Sequence, residues 1–154
     1  MKLLNNISIL IISICTAILL TACGTDHDHG PTPVGLNLLV SGEVIASQQG
    51  TTISYAGDAD HIALTAGESS LVTIQFILES GEPVVYDTEE GYSLVYNVSN
   101  TDVLSISHPV QGNEWNAELS GVSAGTSTLN FELMHVGHAD FESRNFEIRV
   151  TSAD

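Results

Sequence analysis

The sequence predicts an all-β domain, an antiparallel sandwich or barrel, on three observations. Apolar and polar residues alternate over short stretches. Those stretches are separated by clusters of Gly, Asn, Asp and Ser, residues that tolerate turn geometry. No span keeps a 3.6-residue apolar period between helix caps.

Taken in order, residues 36–40 and 43–46 are short apolar runs split by Ser41-Gly42, and Gln48-Gln49-Gly50 turns the chain into 51–55. Gly57-Asp58-Ala59-Asp60 is the next turn, before a strand at 61–65. Asp58 and Asp60 have the spacing that opens a calcium loop, but the remaining ligands of such a loop are missing, so the turn reads as solvated. His61, at a strand start, reads as structural. Residues 71–78 are the firmest strand, with Val72, Ile74, Phe76 and Leu78 on one face and Thr73 and Gln75 on the other. An acidic connection over 79–91 follows, with Val84-Val85-Tyr86 as a short edge strand inside it. Residues 92–98 then place Tyr92, Leu94, Tyr96 and Val98 together. Ser99 to Asp102 is a turn cluster before a strand at 103–107. His108-Pro109 opens a loop that runs to Glu114, and strands at 115–119, 128–134 and 146–150 complete the pattern. Trp115 is expected in the core between the layers.

The N-terminus stands apart from this domain. A positive Met1-Lys2 precedes an apolar run over 7–20, too short to span a bilayer comfortably. Leu20-Thr21-Ala22-Cys23 follows at once and resembles the lipobox of bacterial lipoproteins. The resemblance implies a signal peptide at 1–22 and acylation of Cys23, with several acyl chains anchoring the protein. Gly24, in place of an inner-membrane retention aspartate, favours the outer membrane, on its periplasmic or surface face. Residues 23–33 then form a flexible tether carrying Asp26-His27-Asp28-His29 and Gly30-Pro31-Thr32-Pro33, and 34–154 form the domain.

With Cys15 removed and Cys23 acylated, no thiol remains for a disulfide or a thiolate metal site. Without Lys2, Arg144 and Arg149 face 19 acidic residues, taking the formal charge from −16 to −17. Such a surface excludes nucleic acid as a partner and concentrates cations. There is no Gly-x-Ser-x-Gly elbow and no phosphate loop, and no nucleophile accompanies His138 and Asp140, so the chain does not read as an enzyme.

The chemistry concentrates in His135-Val136-Gly137-His138-Ala139-Asp140, between the strands at 128–134 and 146–150. Only Gly137 and Asp140 of these are ordinary turn residues. Two imidazoles and a carboxylate supply the nitrogen and oxygen donors a divalent transition metal takes. His135 continues the face of Leu129, Phe131 and Leu133, so it should lean inward at the rim.

Ser99-Asn100-Thr101-Asp102-Val103-Leu104-Ser105-Ile106, and later Leu119-Ser120-Gly121-Val122-Ser123-Ala124-Gly125-Thr126, resemble bacterial immunoglobulin-like (Big) domains. The likeness runs over about residues 64–150. It implies a Greek-key immunoglobulin-like β-sandwich of about seven to nine antiparallel strands, usually non-enzymatic. Two departures from the family are a single copy close to a lipid anchor and the histidines near the last hairpin. The chain is also similar to small histidine-bearing lipoproteins associated with envelope metal uptake, which implies a metal transporter or receptor as partner.

In an immunoglobulin-type order the connections 79–91, 108–114 and 135–145 gather at one end, and the first strand tends to start there. His108, His135, His138 and the tether's His27 and His29 are thereby expected at one pole, beside Glu79, Glu82, Asp87, Glu89 and Glu90. The expected function is binding of a divalent transition metal, zinc favoured over copper or nickel, through His135, His138, Asp140, His108, His27 and His29, for buffering or delivery to an uptake system. The competing reading is a metal-independent surface module that binds a protein or glycan, for which Tyr86 and Trp115 are the candidate aromatics.

Overall fold

The structure, a computed structural model, describes residues 30–153. The signal segment, Cys23, His27 and His29 lie outside the described residues.

The strands are β1 (Gly35–Val40), β2 (Glu43–Gln49), β3 (Thr52–Tyr55), β4 (Ile62–Thr65), β5 (Ser69–Ile77), β6 (Pro83–Val84), β7 (Tyr92–Val98), β8 (Leu104–Ser107), β9 (Asn116–Gly121), β10 (Gly125–His135), β11 (His138–Glu142) and β12 (Phe146–Thr151). A single 3-10 turn, Thr88–Glu90, precedes β7. Among the described residues no helix is long and apolar enough to cross a membrane.

One sheet runs β3-β2-β1-β5-β9-β8, with β6 beside β5; the other runs β11-β10-β12-β4, with β7 beside β10. All strand pairs are antiparallel except β12 with β4. The order places β5, β9 and β8 in one layer and β7, β10 and β12 in the other. That is the connectivity of a Greek-key, immunoglobulin-like sandwich. The strands exceed the expected seven to nine because β2 and β3 widen the first sheet beyond β1, while β6 and β11 are short additions at the pole. β4 runs parallel to β12 because the chain crosses from the first sheet to the second after β3.

The inward faces are those the alternation predicts. Val72, Ile74 and Phe76 of β5 meet Leu129, Phe131 and Leu133 of β10 in one buried cluster, with Phe146, Ile148 and Val150 of β12. Phe76 is the aromatic hub, edge-on to Tyr86, Trp115 and Phe141 at centroid separations of 5.7–5.8 Å. Edge-on pairs of this kind each add about 0.5–1.5 kcal/mol beyond simple burial. Tyr86 is buried and Trp115 half-buried, and both pack against Phe76.

The turn residues at the Ser99-Asn100 and Gly121 corners have physical tasks. Ser99 Oγ accepts the Thr128 N–H at 2.7 Å, and the buried Ser127 hydroxyl accepts the Asn100 N–H and donates to its carbonyl. The Ser99-Asn100 corner is thus fastened to β10. Gly121 lies where β9 meets the end of β4, and a Cβ there would stand 2.5 Å from the Thr65 carbonyl oxygen. Because that neighbour is backbone, the strand itself would have to shift. Gly121→Ala should therefore destabilise the domain by about 1–3 kcal/mol, the usual range for overpacking. Thermal melting checks this, and an unchanged midpoint would show that the corner can open without cost.

Candidate metal centre

The hairpin formed by β10 and β11 carries the histidine-rich stretch. Where a loop over 135–145 was expected, the turn is only Val136-Gly137, and His135 pairs directly with His138 across it. Both turn residues have positive φ, 47° and 87°, the signature of a type I′ turn. This turn follows the strand twist and returns the chain at once into β11. The sequence conceals it because valine is a poor occupant of that backbone region.

Directly opposed residues share a face, so His138 stands beside His135. The pairing then shifts: Leu133 faces Phe141 while Met134 faces Ala139, leaving Asp140 as the extra residue of a β-bulge. Bulges re-aim side chains, and this one brings the Asp140 carboxylate against both imidazoles. Asp140 Oδ1 lies 3.0 Å from His138 Nε2, and its Oδ2 lies 3.5 Å from His135 Nδ1. One donor atom from each of the three residues falls within 4.8 Å of the others.

These residues differ in exposure. His135 is 3% exposed, as its parity on β10 requires, whereas the His138 side chain is 52% exposed and Asp140 is intermediate. Tyr92, the cross-strand partner of His135 on β7, lies flat on its ring at 4.1 Å and 10°. Tyr86 packs on Tyr92 at 4.7 Å. Burial pushes the Tyr86 phenol above its ordinary range, and the neighbouring Tyr92 and Asp140 push it further. The described end of the tether lies on these two tyrosines: the Gly30 N–H donates to Tyr92 Oη at 2.9 Å, and Tyr86 Oη donates to the Pro31 carbonyl. Pro33 is buried.

The donor set could hold a divalent metal ion. Around a tetrahedral ion with bonds of 2.0–2.1 Å, donors stand about 3.4 Å apart; here one Asp140 oxygen lies 3.0 Å from His138 and the other 3.5 Å from His135. Three protein donors would leave one position of a tetrahedral ion open.

The other expected residues fall differently. The loops 79–91 and 108–114 do come to this pole: the Gly91 carbonyl accepts the Val136 N–H at 3.3 Å, and Glu114 Oε1 accepts the Leu94 N–H at 2.8 Å. His108 is not part of the group. Its Nε2 meets the Glu114 carbonyl oxygen at 2.7 Å, which only a protonated nitrogen satisfies, and its ring is edge-on to Tyr96, paired with Phe131 four residues before His135. His61 is hydrogen-bonded to Asp60, and that bond is the main cause holding the Asp60 carboxyl below its usual range. Asp87 caps the 3-10 turn by accepting the Glu89 N–H. Sequence reasoning missed the parts played by Tyr92 and Gly30; the cue to Tyr92 was its place on an inward-facing alternation opposite the 128–134 strand.

No family model and no curated protein matches the chain. Among solved structures it is similar to the crystal structure of the S-layer protein SbsC domains 4 and 5, at 13% identity over 76% of each chain and a TM-score of 0.40.

The strain at Val136 gives a direct test of the turn. Val136→Asn, which tolerates positive φ, should stabilise the domain by about 1 kcal/mol and raise its melting temperature by roughly 4 °C. A lowered melting temperature would mean that the valine's packing on Gly91 outweighs its backbone cost.

Proposed function

We propose that this chain is a lipid-anchored cell-envelope protein, not an enzyme, whose domain binds a divalent transition metal through His135, His138 and Asp140. Zinc suits two imidazoles and a carboxylate, and copper or nickel takes the same donors. The single observation that carries this reading is the convergence of three donors on one face of the β10–β11 hairpin, produced by a tight turn and a bulge.

Two further features support it. The formal charge of −16 draws cations toward the surface. His138 stands in solvent at the site's edge, so metal can enter and leave without the sandwich opening. The open position would be taken by water, by an incoming acceptor's ligand, or by His27 or His29, which precede the docked Gly30 in sequence. Such a site suits buffering or delivery to an envelope uptake system. Cys23 is the proposed anchor, with the outer membrane as its place.

Isothermal calorimetry of the domain with zinc should show micromolar or tighter binding. His138→Ala leaves the buried side unchanged and should cost at least about 100-fold in affinity, more than loss of a typical outer-shell partner. Imidazoles bind metal only after shedding their protons, so affinity should fall as the solution is acidified. No heat with zinc, copper or nickel would defeat the metal reading and leave the protein- or glycan-binding module as the function to test.

A further inference from the structure

The seat of the tether lies on the same aromatic wall as the metal donors. Tyr92 receives the Gly30 N–H on its hydroxyl and stacks on His135 with its ring. Tyr86, packed on Tyr92, holds the Pro31 carbonyl. Buried Pro33 and the start of β1 continue this attachment into the first sheet. The chain therefore leaves the domain at the pole occupied by His135, His138 and Asp140. Only six residues lie between Cys23 and Gly30, a reach of roughly 24 Å over the seven Cα steps when fully extended.

From these contacts we propose that the two tyrosines hold the metal pole toward the bilayer, so that its metal is exchanged with a membrane-embedded acceptor rather than with a diffusible carrier. The eleven residues of β10 span about 34 Å, which sets the opposite pole, at Gly121 to Gly125, well outside the tether's reach. Electrostatics forms the gap. Asp87, Glu89 and Glu90 lie in the segment that ends at Gly91, against Val136, and their charge keeps the pole off anionic headgroups. The tether limits how far that repulsion can lift it. A shallow space between bilayer and domain results, with the exposed His138 facing it, and it fits the outer surface of an integral membrane protein. Undocking the tether would remove the orientation without touching the metal donors.

This inference rests on the lipid-anchor and metal readings above, and its first test needs no metal. The acylated protein has no free thiol, so a single fluorophore can be placed at Val136→Cys, beside the metal donors, or at Ala124→Cys, on the opposite pole. In vesicles of phosphatidylethanolamine and phosphatidylglycerol carrying a headgroup acceptor dye, the label at 136 should transfer energy several-fold more efficiently than the label at 124. Combining Tyr86→Phe with Tyr92→Phe keeps both rings and removes both hydroxyls, and should abolish that difference. Equal or reversed transfer in the parent protein overturns the orientation, and a difference that survives in the double variant overturns the tyrosine seat as its cause. Failure to remain with the vesicles overturns the anchor and the inference together. In a second arm, zinc-loaded protein should give up its metal several-fold faster to a nitrilotriacetate-headgroup lipid in its own vesicle than to the same lipid in separate vesicles. Equal rates, with transfer still favouring 136, overturn the membrane-embedded acceptor alone, whereas a protein that takes up no zinc overturns the metal reading while leaving the orientation standing.

Discussion

The pole of this domain is organised by one constraint: a histidine ends a strand at an inward-facing position. Strand parity commits His135 to the interior, where an imidazole needs both a polar neighbour for its nitrogens and a packed surface for its ring. Tyr92 supplies the surface by stacking, and Asp140 supplies the neighbour. Each then recruits more structure. Tyr92 turns its hydroxyl to Gly30, and Asp140 reaches His138 only because β11 bulges at that residue. Among the described residues no buried side-chain nitrogen or oxygen lacks a partner.

The same pole shows how a small sandwich separates rigidity from exchange. Phe76, Tyr86, Trp115 and Phe141 form a dense aromatic floor behind the donors, so the buried half of the site is held by packing. The exposed half rests on a two-residue turn and an edge strand, with fewer neighbours to restrain it. A proposed centre built across that boundary has one imidazole positioned by the core and one open to solvent. In the proposed role, that division would let a metal be held in place yet handed on.

Not all histidines at the pole serve alike, and the reason is local hydrogen bonding. His108 lies in a loop that does approach the site, but the Glu114 carbonyl in its own loop claims its Nε2, and Glu114's carboxylate in turn covers the Leu94 N–H on the β7 edge. Its task is to brace a loop against an edge strand. His61, which precedes β4 and lies away from this pole, is likewise bound to its neighbour Asp60. Proximity in the topology is therefore a weaker criterion for a shared site than the fate of each ring nitrogen.

From the sequence alone, the β-sandwich class and the inward lean of His135 were legible, because alternation and turn chemistry are local signals written in side-chain type. The glycine at 121 and the Ser99-Asn100 corner were legible as a pattern, though not their tasks, which are a close backbone approach and a fastening to a distant strand. Three things were decided only in three dimensions. A type I′ turn formed at Val136 despite valine's reluctance, because pairing on both of its flanks imposed the backbone geometry. The bulge at Asp140 and the capture of His108 by the Glu114 carbonyl are outcomes of backbone geometry that residue type alone does not signal. The tether's end, read as flexible spacer through Pro33, lies on Tyr86 and Tyr92 instead. Its glycine and prolines carry no local signal for that seat, whose partners lie more than fifty residues away, so only the folded chain could bring them together.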